Sequence, residues 1–502
     1  MNDVTPRSAG APPRELYRSV FLVFLVLVYA TSFLARLAPA VIGPSMVIDM
    51  HLSDAQFGLL SGLAFSIFYS LLGMPIGRLA DRVHRVTLIS VSIILYSVLT
   101  MLSGWAGSYW QLLLLRLGVG IGEAGGTPTA HSLISDLYGP RRRATALSVY
   151  ALGPPIGILL LAFGGGFLMT HGAQGAHGTH GALWHMLFDN GFWHWLFDTF
   201  GTKGPVNAGD WRIVFKVFGI PGIVIGILAW ITLREPKRGA MDEGANTHTM
   251  PSMRDVLRTM LSNRAVVQIL LGVVVGAFVQ YGVNMFIPMY LIRVYDLTPG
   301  MATGLFGLVV GGGGIVGNLL GGLSADWASQ RDHRWYAWVS AFSTLLGFPL
   351  MAIGLWYTGG WMVSVALLLL ATILLSMWNG PSFAVLFSVA GLRMRATASA
   401  ITFLLMNLVG QGLGPTTIGF LSGKISASQF TEGNFGALCM APKGAHGAAA
   451  VLHGPFASAC HDASAHGVRY AMLIVSVLLV WSAIHYFLAA RYLRSNEPNS
   501  KA

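Results

Sequence analysis

Twelve stretches of this 502-residue chain are each long enough, and poor enough in charge, to cross a bilayer as a helix. A span needs about 20 apolar residues, because a helix rises about 1.5 Å per residue and the hydrocarbon is about 30 Å thick. Apolar periodicity and loop signals place the spans near 18–47, 55–79, 86–106, 109–138, 144–170, 211–233, 265–294, 300–327, 335–357, 361–390, 396–424 and 467–492. Charged residues make up only 10% of the chain, against about 25% in a soluble protein. That is too few to cover a water-facing surface of this size, so the expected solvent for most of the protein is lipid and the expected class is an all-α membrane protein.

The loops set the orientation. Residues 1–17 carry Pro6, Pro12 and Pro13, with Arg7 and Arg14 before the first apolar run, and read as a disordered cytoplasmic tail instead of a cleaved signal peptide. Alternate loops are basic: Arg78, Arg82 and Arg85; Arg141 to Arg143; Arg234, Lys237, Arg238, Arg254, Arg258 and Arg264; then Arg331 and Arg334, Arg393 and Arg395, and Arg491 and Arg494. The positive-inside rule puts both termini in the cytoplasm. It also accounts for the net charge of +11, so nucleic acid is not an expected partner.

The charged segment 234–264 divides the spans six and six, giving expected bundles at 18–233 and 265–492, with 493–502 as a second tail. GRLAD at 77–81 returns as GLSAD at 322–326, and RATA at 143–146 returns at 395–398, at offsets of 245 and 252 residues. Two landmarks in the same order at nearly the same offset predict a duplicated six-helix unit, a common transporter plan with a site between the halves.

Two outer loops are long, 171–210 and 425–466. The first holds His171, His177, His180, His185 and His194 among Trp184, Trp193 and Trp195; its stretch ALWHMLFDNGFWHWLF suits either an interfacial helix or an ordinary loop over the mouth. It lacks an HExxH pair and the Cys-His spacing of a closed zinc site, so neither a metal nor any other cofactor is expected. The second loop contains the chain's two cysteines, Cys439 and Cys460. An oxidising compartment permits a bridge between them; two free thiols are the alternative.

An ionised side chain near the bilayer centre costs from about 3 kcal/mol upward, so it usually faces a cavity and a partner. Arg36 in the first span and Arg116 and Glu123 in the fourth are such residues. Arg116 and Glu123 are two helical turns apart on one face, about 10 Å and about 21 Å below Tyr109. Burial opposes charge on Glu123 while a neighbouring arginine favours it, and that tension marks a candidate proton carrier. A permanently ionised structural pair with Arg36 or Arg116 is the competing reading. Each arginine is equally suited to holding an anionic headgroup.

A cytoplasmic gate is expected from Asp81, Arg82 and Arg85 after the second span, with Arg85 facing Asp136, from Asp326 in the second half, and from Arg143 and Arg395, which open the repeated RATA segments. Gly153-Pro154-Pro155, Gly311 to Gly314 and Gly414-Pro415 supply close contact and bending.

GRLADRVHR at 77–85 resembles the loop signature between the second and third helices of the major facilitator superfamily, with His84 in place of a usual glycine. RLGVGIGEAGGTPTAHSLISDLYGPRRRATALSVYALGPPIG at 116–157, WRIVFKVFGIPGIVIGILAWITLREPKRG at 211–239 and RMRATASAITFLLMNLVGQGLGP at 393–415 are similar to its spinster-like branch. The resemblance implies twelve helices in two pseudo-symmetric six-helix bundles, alternating access, and export of lipid-like amphiphiles such as lysophospholipids or sphingoid phosphates. It implies a proton or substrate-switch role for Glu123 with Arg36 as partner, and a gate at Asp81, Arg85 and Asp136. Family members usually carry an Asp-Arg pair in the first helix, where this chain has Ala35 before Arg36. GPPIG at 153–157 is similar to the fifth-helix antiporter motif, with Val149 where an upstream glycine is usual.

The expected function is therefore secondary transport of a small amphiphilic substrate, proton-coupled through Glu123, by a monomer in a bacterial inner membrane. A facilitator, uncoupled because Ala35 replaces the usual aspartate, or a proton-coupled transporter of a polar metabolite or drug is the alternative, with Gln280, Asn284, Asn318, Asn379, Asn407 and Gln411 available to bind such cargo. A sensor would need an output domain, and an enzyme would need a nucleophile–base set or metal motif; the chain shows neither, so it is not read as an enzyme.

Overall fold

The computed structural model describes residues 15–80, 82–173, 211–237, 253–439 and 456–493. Asp81, the centre of the 234–264 linker and most of both outer loops, including the ALWHMLFDNGFWHWLF stretch, lie outside the described residues. The protein is helical throughout them, and eleven helical segments are long and apolar enough to cross a membrane. The remaining span is the fourth, split into Tyr109–Glu123 and Gly126–Leu137 at Ala124 and Gly125, so that neither piece alone has bilayer length. The fold is that of twelve transmembrane helices in two pseudo-symmetric bundles.

Local chemistry sets many of the boundaries. Ser53 and Gln56 form a reciprocal capping box at the start of the second span, and Asn263 caps the seventh through the amides of Ala265 and Val266. Three boundaries differ from the sequence reading. The first helix begins at Glu15, inside the expected tail. Asn379–Leu405 runs as one helix through the expected turn between the tenth and eleventh spans, where RMRATAS offers good helix formers and no proline. The second outer loop is shorter than 425–466, because Gly414–Gln429 and Ala457–Ser476 extend into it. Hydropathy missed that last extension because 457–466 is small and polar; what stabilises it is packing of Cys460 and Ala463 against Phe430.

Cys439 and Cys460 are bridged there, with Cα atoms 5.5 Å apart and 21 residues of separation. Closing a loop of that size is worth about 3 kcal/mol in the unfolded ensemble. Replacing both cysteines by serine is expected to speed amide exchange in residues 456–466 by roughly 100-fold. Exchange at the parental rate would mean the bridge adds nothing to that segment.

The two halves meet along two seams, the second span with the eleventh and the fifth with the eighth, and the first span also packs against the seventh. Both partners from the second half carry a π-helical turn at the seam, Gly307–Gly312 in the eighth span and Met406–Leu413 in the eleventh, a widening often found where helices do functional work. The apolar packing around the seams differs between the two ends. Away from the basic loops, one continuous core joins both halves through Val41, Ile42 and Phe57 on one side and Phe286 and Ile287 on the other, with Phe57 edge-on to Phe286 at 5.2 Å. At the basic-loop end each half has its own core: Phe21, Val86, Leu137 and Leu233 in the first, Ala265, Ala337 and Leu493 in the second.

Candidate functional site

Arg36 and Glu123 meet beside the seam of the second and eleventh spans. Ser32 and Arg36 are one turn apart on the first span and therefore share a face. Glu123 is the last residue of its helix, just before the break at Ala124. A Cβ added to Gly122 would lie 2.9 Å from the Tyr96 amide nitrogen, so only a glycine lets this helix press against the third span at the level of Glu123.

Glu123 Oε1 accepts from Arg36 Nη2 at 2.6 Å and Nε at 3.1 Å, and from the Ser32 hydroxyl. Both side chains of the ion pair are buried, 4% and 3% exposed. Arg36 is enclosed by the rings of Tyr69, Phe33 and Phe65 at 4.6, 4.8 and 5.0 Å, which shield the guanidinium from water and attract its charge. Its remaining Nη1 donates across to the other half, to Asn407 Oδ1 at 3.3 Å and Gln411 Oε1 at 3.4 Å. These two acceptors sit one turn apart on the Met406–Leu413 π-helical turn. One arginine thus ties a carboxylate of its own half to two amides of the opposite half. Glu123 Oε2 and Gln411 Nε2 are buried without a hydrogen-bond partner among the described residues.

Arg116 is not the partner of Glu123. It donates to the carbonyls of Ala35 at 3.0 Å and Arg36 at 3.1 Å. Pro39 explains the first of these bonds: it has no amide hydrogen, so the carbonyl four residues earlier, that of Ala35, loses its helical donor. Arg116, fully buried, satisfies that carbonyl and holds the first span at the depth where Arg36 reaches Glu123. The remaining polar residues considered for cargo are partly spoken for: Gln280 donates to Ser376 at 3.3 Å and Asn379 to Asn318 at 2.9 Å.

At the basic-loop end, Arg85 Nη1 donates to Asp136 Oδ2 at 2.5 Å and to Ser132 at 2.8 Å, while Nε donates to Glu235 at 2.6 Å. Arg85, Ser132 and Asp136 lie in the first half and Glu235 just past it, at the start of the 234–264 segment, so among the described residues these bonds brace the first half. Glu235, absent from the sequence reading, also accepts from the Val86 amide at 3.0 Å. Asp81 and the side chains of Arg143 and Arg395 lie outside the described residues, and Arg82 is exposed. Asp326 forms no ion pair among the described residues; it accepts from the Tyr336 hydroxyl at 3.1 Å. The basic residues that follow it are engaged elsewhere, Arg331 over Trp327 at 4.8 Å and Arg334 beside Asp332 at 3.7 Å.

The opposite end holds a cluster that sequence reasoning missed. Asp54 accepts a bidentate pair from Arg293, at 2.7 and 2.8 Å, together with the Ser422 hydroxyl at 2.5 Å. The second, seventh and eleventh spans are joined by this cluster, across the halves. Asp54 follows Ser53 in a capping box, so in sequence it reads as a first-turn acid stabilising its own helix, and nothing local links it to a residue 239 positions away.

Residues 25–415 match the profile of the Major Facilitator Superfamily. The chain is 27% identical over 417 residues to an MFS-type efflux pump of Mycolicibacterium smegmatis, spanning 82% of this chain and 86% of that protein. It is 25% identical over 402 residues to a sphingosine-1-phosphate transporter of Danio rerio, spanning 76% and 72%. A crystal structure of a bacterial homolog of the human lysosomal transporter Spinster, inward-facing and unoccupied, aligns with a TM-score of 0.82 at 30% identity, over 97% of this chain and 99% of that one.

Proposed function

Since the chain belongs to the major facilitator superfamily, in its spinster-like branch, we propose that this multi-pass membrane transporter moves an amphiphilic lysolipid or sphingoid-type substrate by proton-coupled alternating access. The observation that carries the reading is the buried Arg36–Glu123 pair, whose arginine also hydrogen-bonds Asn407 and Gln411 in the opposite half. The protein works as a monomer with both termini in the cytoplasm of a bacterial inner membrane. In that orientation the shared core and the Asp54–Arg293 pair close the outer side, and the separate cores leave the inner side able to open.

Mechanism follows from what each group can do. A proton delivered to Glu123 removes the charge that holds Arg36, and frees the guanidinium for a phosphate or other anionic headgroup, which it grips in a bidentate way. The rings of Phe33, Phe65 and Tyr69 offer apolar surface beside that headgroup. Because Arg36 is also bonded to the eleventh span, releasing or recapturing it alters the contact between halves and links site occupancy to rocking. The sphingosine-1-phosphate transporter relative supports the lipid-like cargo; the efflux-pump relative favours a drug as second reading.

Proteoliposomes distinguish these. Labelled sphingosine-1-phosphate or lysophosphatidylethanolamine is expected to move faster under an imposed pH gradient and to lose that acceleration with a proton uncoupler. Movement of a cationic dye in place of either lipid would replace the cargo, and lipid movement indifferent to the gradient would remove the coupling.

A further inference from the structure

We infer that the helix Met253–Ser262, which leads into the seventh span, is a membrane-surface helix that binds anionic phospholipid headgroups. At about 100° per residue, its side chains fall into adjoining sectors. Val256 and Met260 share one sector and are 1% and 2% exposed, covered by Leu386, Ala398 and Ile401 of the tenth and eleventh spans. Leu257 and Leu261 occupy the next sector and are 37% and 64% exposed. Arg254 and Arg258 follow, both exposed, and neither forms an ion pair among the described residues. Asp255 and Thr259 complete the turn on the polar side.

The apolar arc is thus about twice as wide as the protein covers, and its uncovered half borders the two arginines directly. That order suits an interface. Leucines settle among the upper acyl carbons, and arginine stems run up beside them to place guanidinium groups at phosphate level. The height is right as well. Only Asn263, the cap of the seventh span, separates this helix from the membrane segment, and Arg264 lies 5.9 Å over the ring of Tyr492 at the end of the last span. A zwitterionic surface supplies the apolar term but no net field, whereas an anionic leaflet attracts each arginine by roughly five-fold, about twenty-five-fold for the pair. The inference is independent of what the transporter carries.

The test uses the full chain with its native disulfide intact and a single added thiol, Leu261→Cys, labelled with an environment-sensitive nitrobenzoxadiazole in vesicles. Trace nitroxide-labelled phosphatidylglycerol is expected to quench the probe several-fold more than equally labelled phosphatidylcholine. The double variant Arg254→Gln, Arg258→Gln should abolish the difference, and Arg254→Lys, Arg258→Lys should retain it, which separates lost charge from lost folding. Equal quenching by the two lipids in the parental protein overturns the inference. So does quenching by a water-soluble nickel chelate in preference to either lipid, the outcome expected if the leucines face solvent or a soluble partner.

Discussion

Glu123→Gln is expected to reduce gradient-driven substrate movement to the level of protein-free liposomes while leaving substrate exchange without a gradient measurable. The amide keeps an acceptor for Ser32 and Arg36 in the position of Oε1 but has no proton to lose or gain. Arg36 is then held only by neutral acceptors, and alternating access has to run without the change of charge that releases and recaptures it. Removing one member of a buried ion pair outright costs about 3–5 kcal/mol, so Glu123→Ala should also lower thermal stability, and the glutamine variant much less. Comparing the two separates chemistry from folding. If the glutamine protein still concentrates substrate in response to pH, Glu123 is a structural partner of Arg36 and the proton travels elsewhere.

Arg293→Ala should be nearly as damaging, for a conformational reason. It leaves the Asp54 carboxylate, 9% exposed, with the Ser422 hydroxyl and no opposing charge. Arg293 is itself 17% exposed, so the low end of the range applies, about 3 kcal/mol, equivalent to roughly 150-fold in the equilibrium between joined and parted halves at that end. Ile48 and Met301, exposed on opposite halves at that end, are suitable sites for a spin-label pair. The parental protein should give one short distance, and the variant should add a longer population. A single short distance in both would show that the shared apolar core around Phe57 and Phe286 holds the end closed without the ion pair.

Much of this architecture is legible in one sequence because lipid is an unforgiving solvent. A charge in a span is costly, so runs such as WMVSVALLLLATILL at 361–375 identify themselves, and by the same argument Arg36, Arg116 and Glu123 stand out. Long-range pairing is not legible in this way. Arg116 and Arg36 look equivalent as partners for Glu123 in sequence, and the one local mark that separates them is Pro39, which orphans the Ala35 carbonyl that Arg116 fills. Ser32, Tyr69 and Glu235 carry no sequence mark at all, being ordinary residues made important by their neighbours.

From its sequence alone, then, the chain's medium, its helical class, its duplicated plan and its family resemblance were determined, because transfer of apolar surface and charge between water and lipid is paid residue by residue and can be summed along the chain. Only tertiary structure decided which arginine meets Glu123, that Asp54 and Arg293 join the halves, and which end shares a single core. Those outcomes depend on directional bonds between atoms hundreds of residues apart, and on glycines and π-helical turns that set how closely two helices approach.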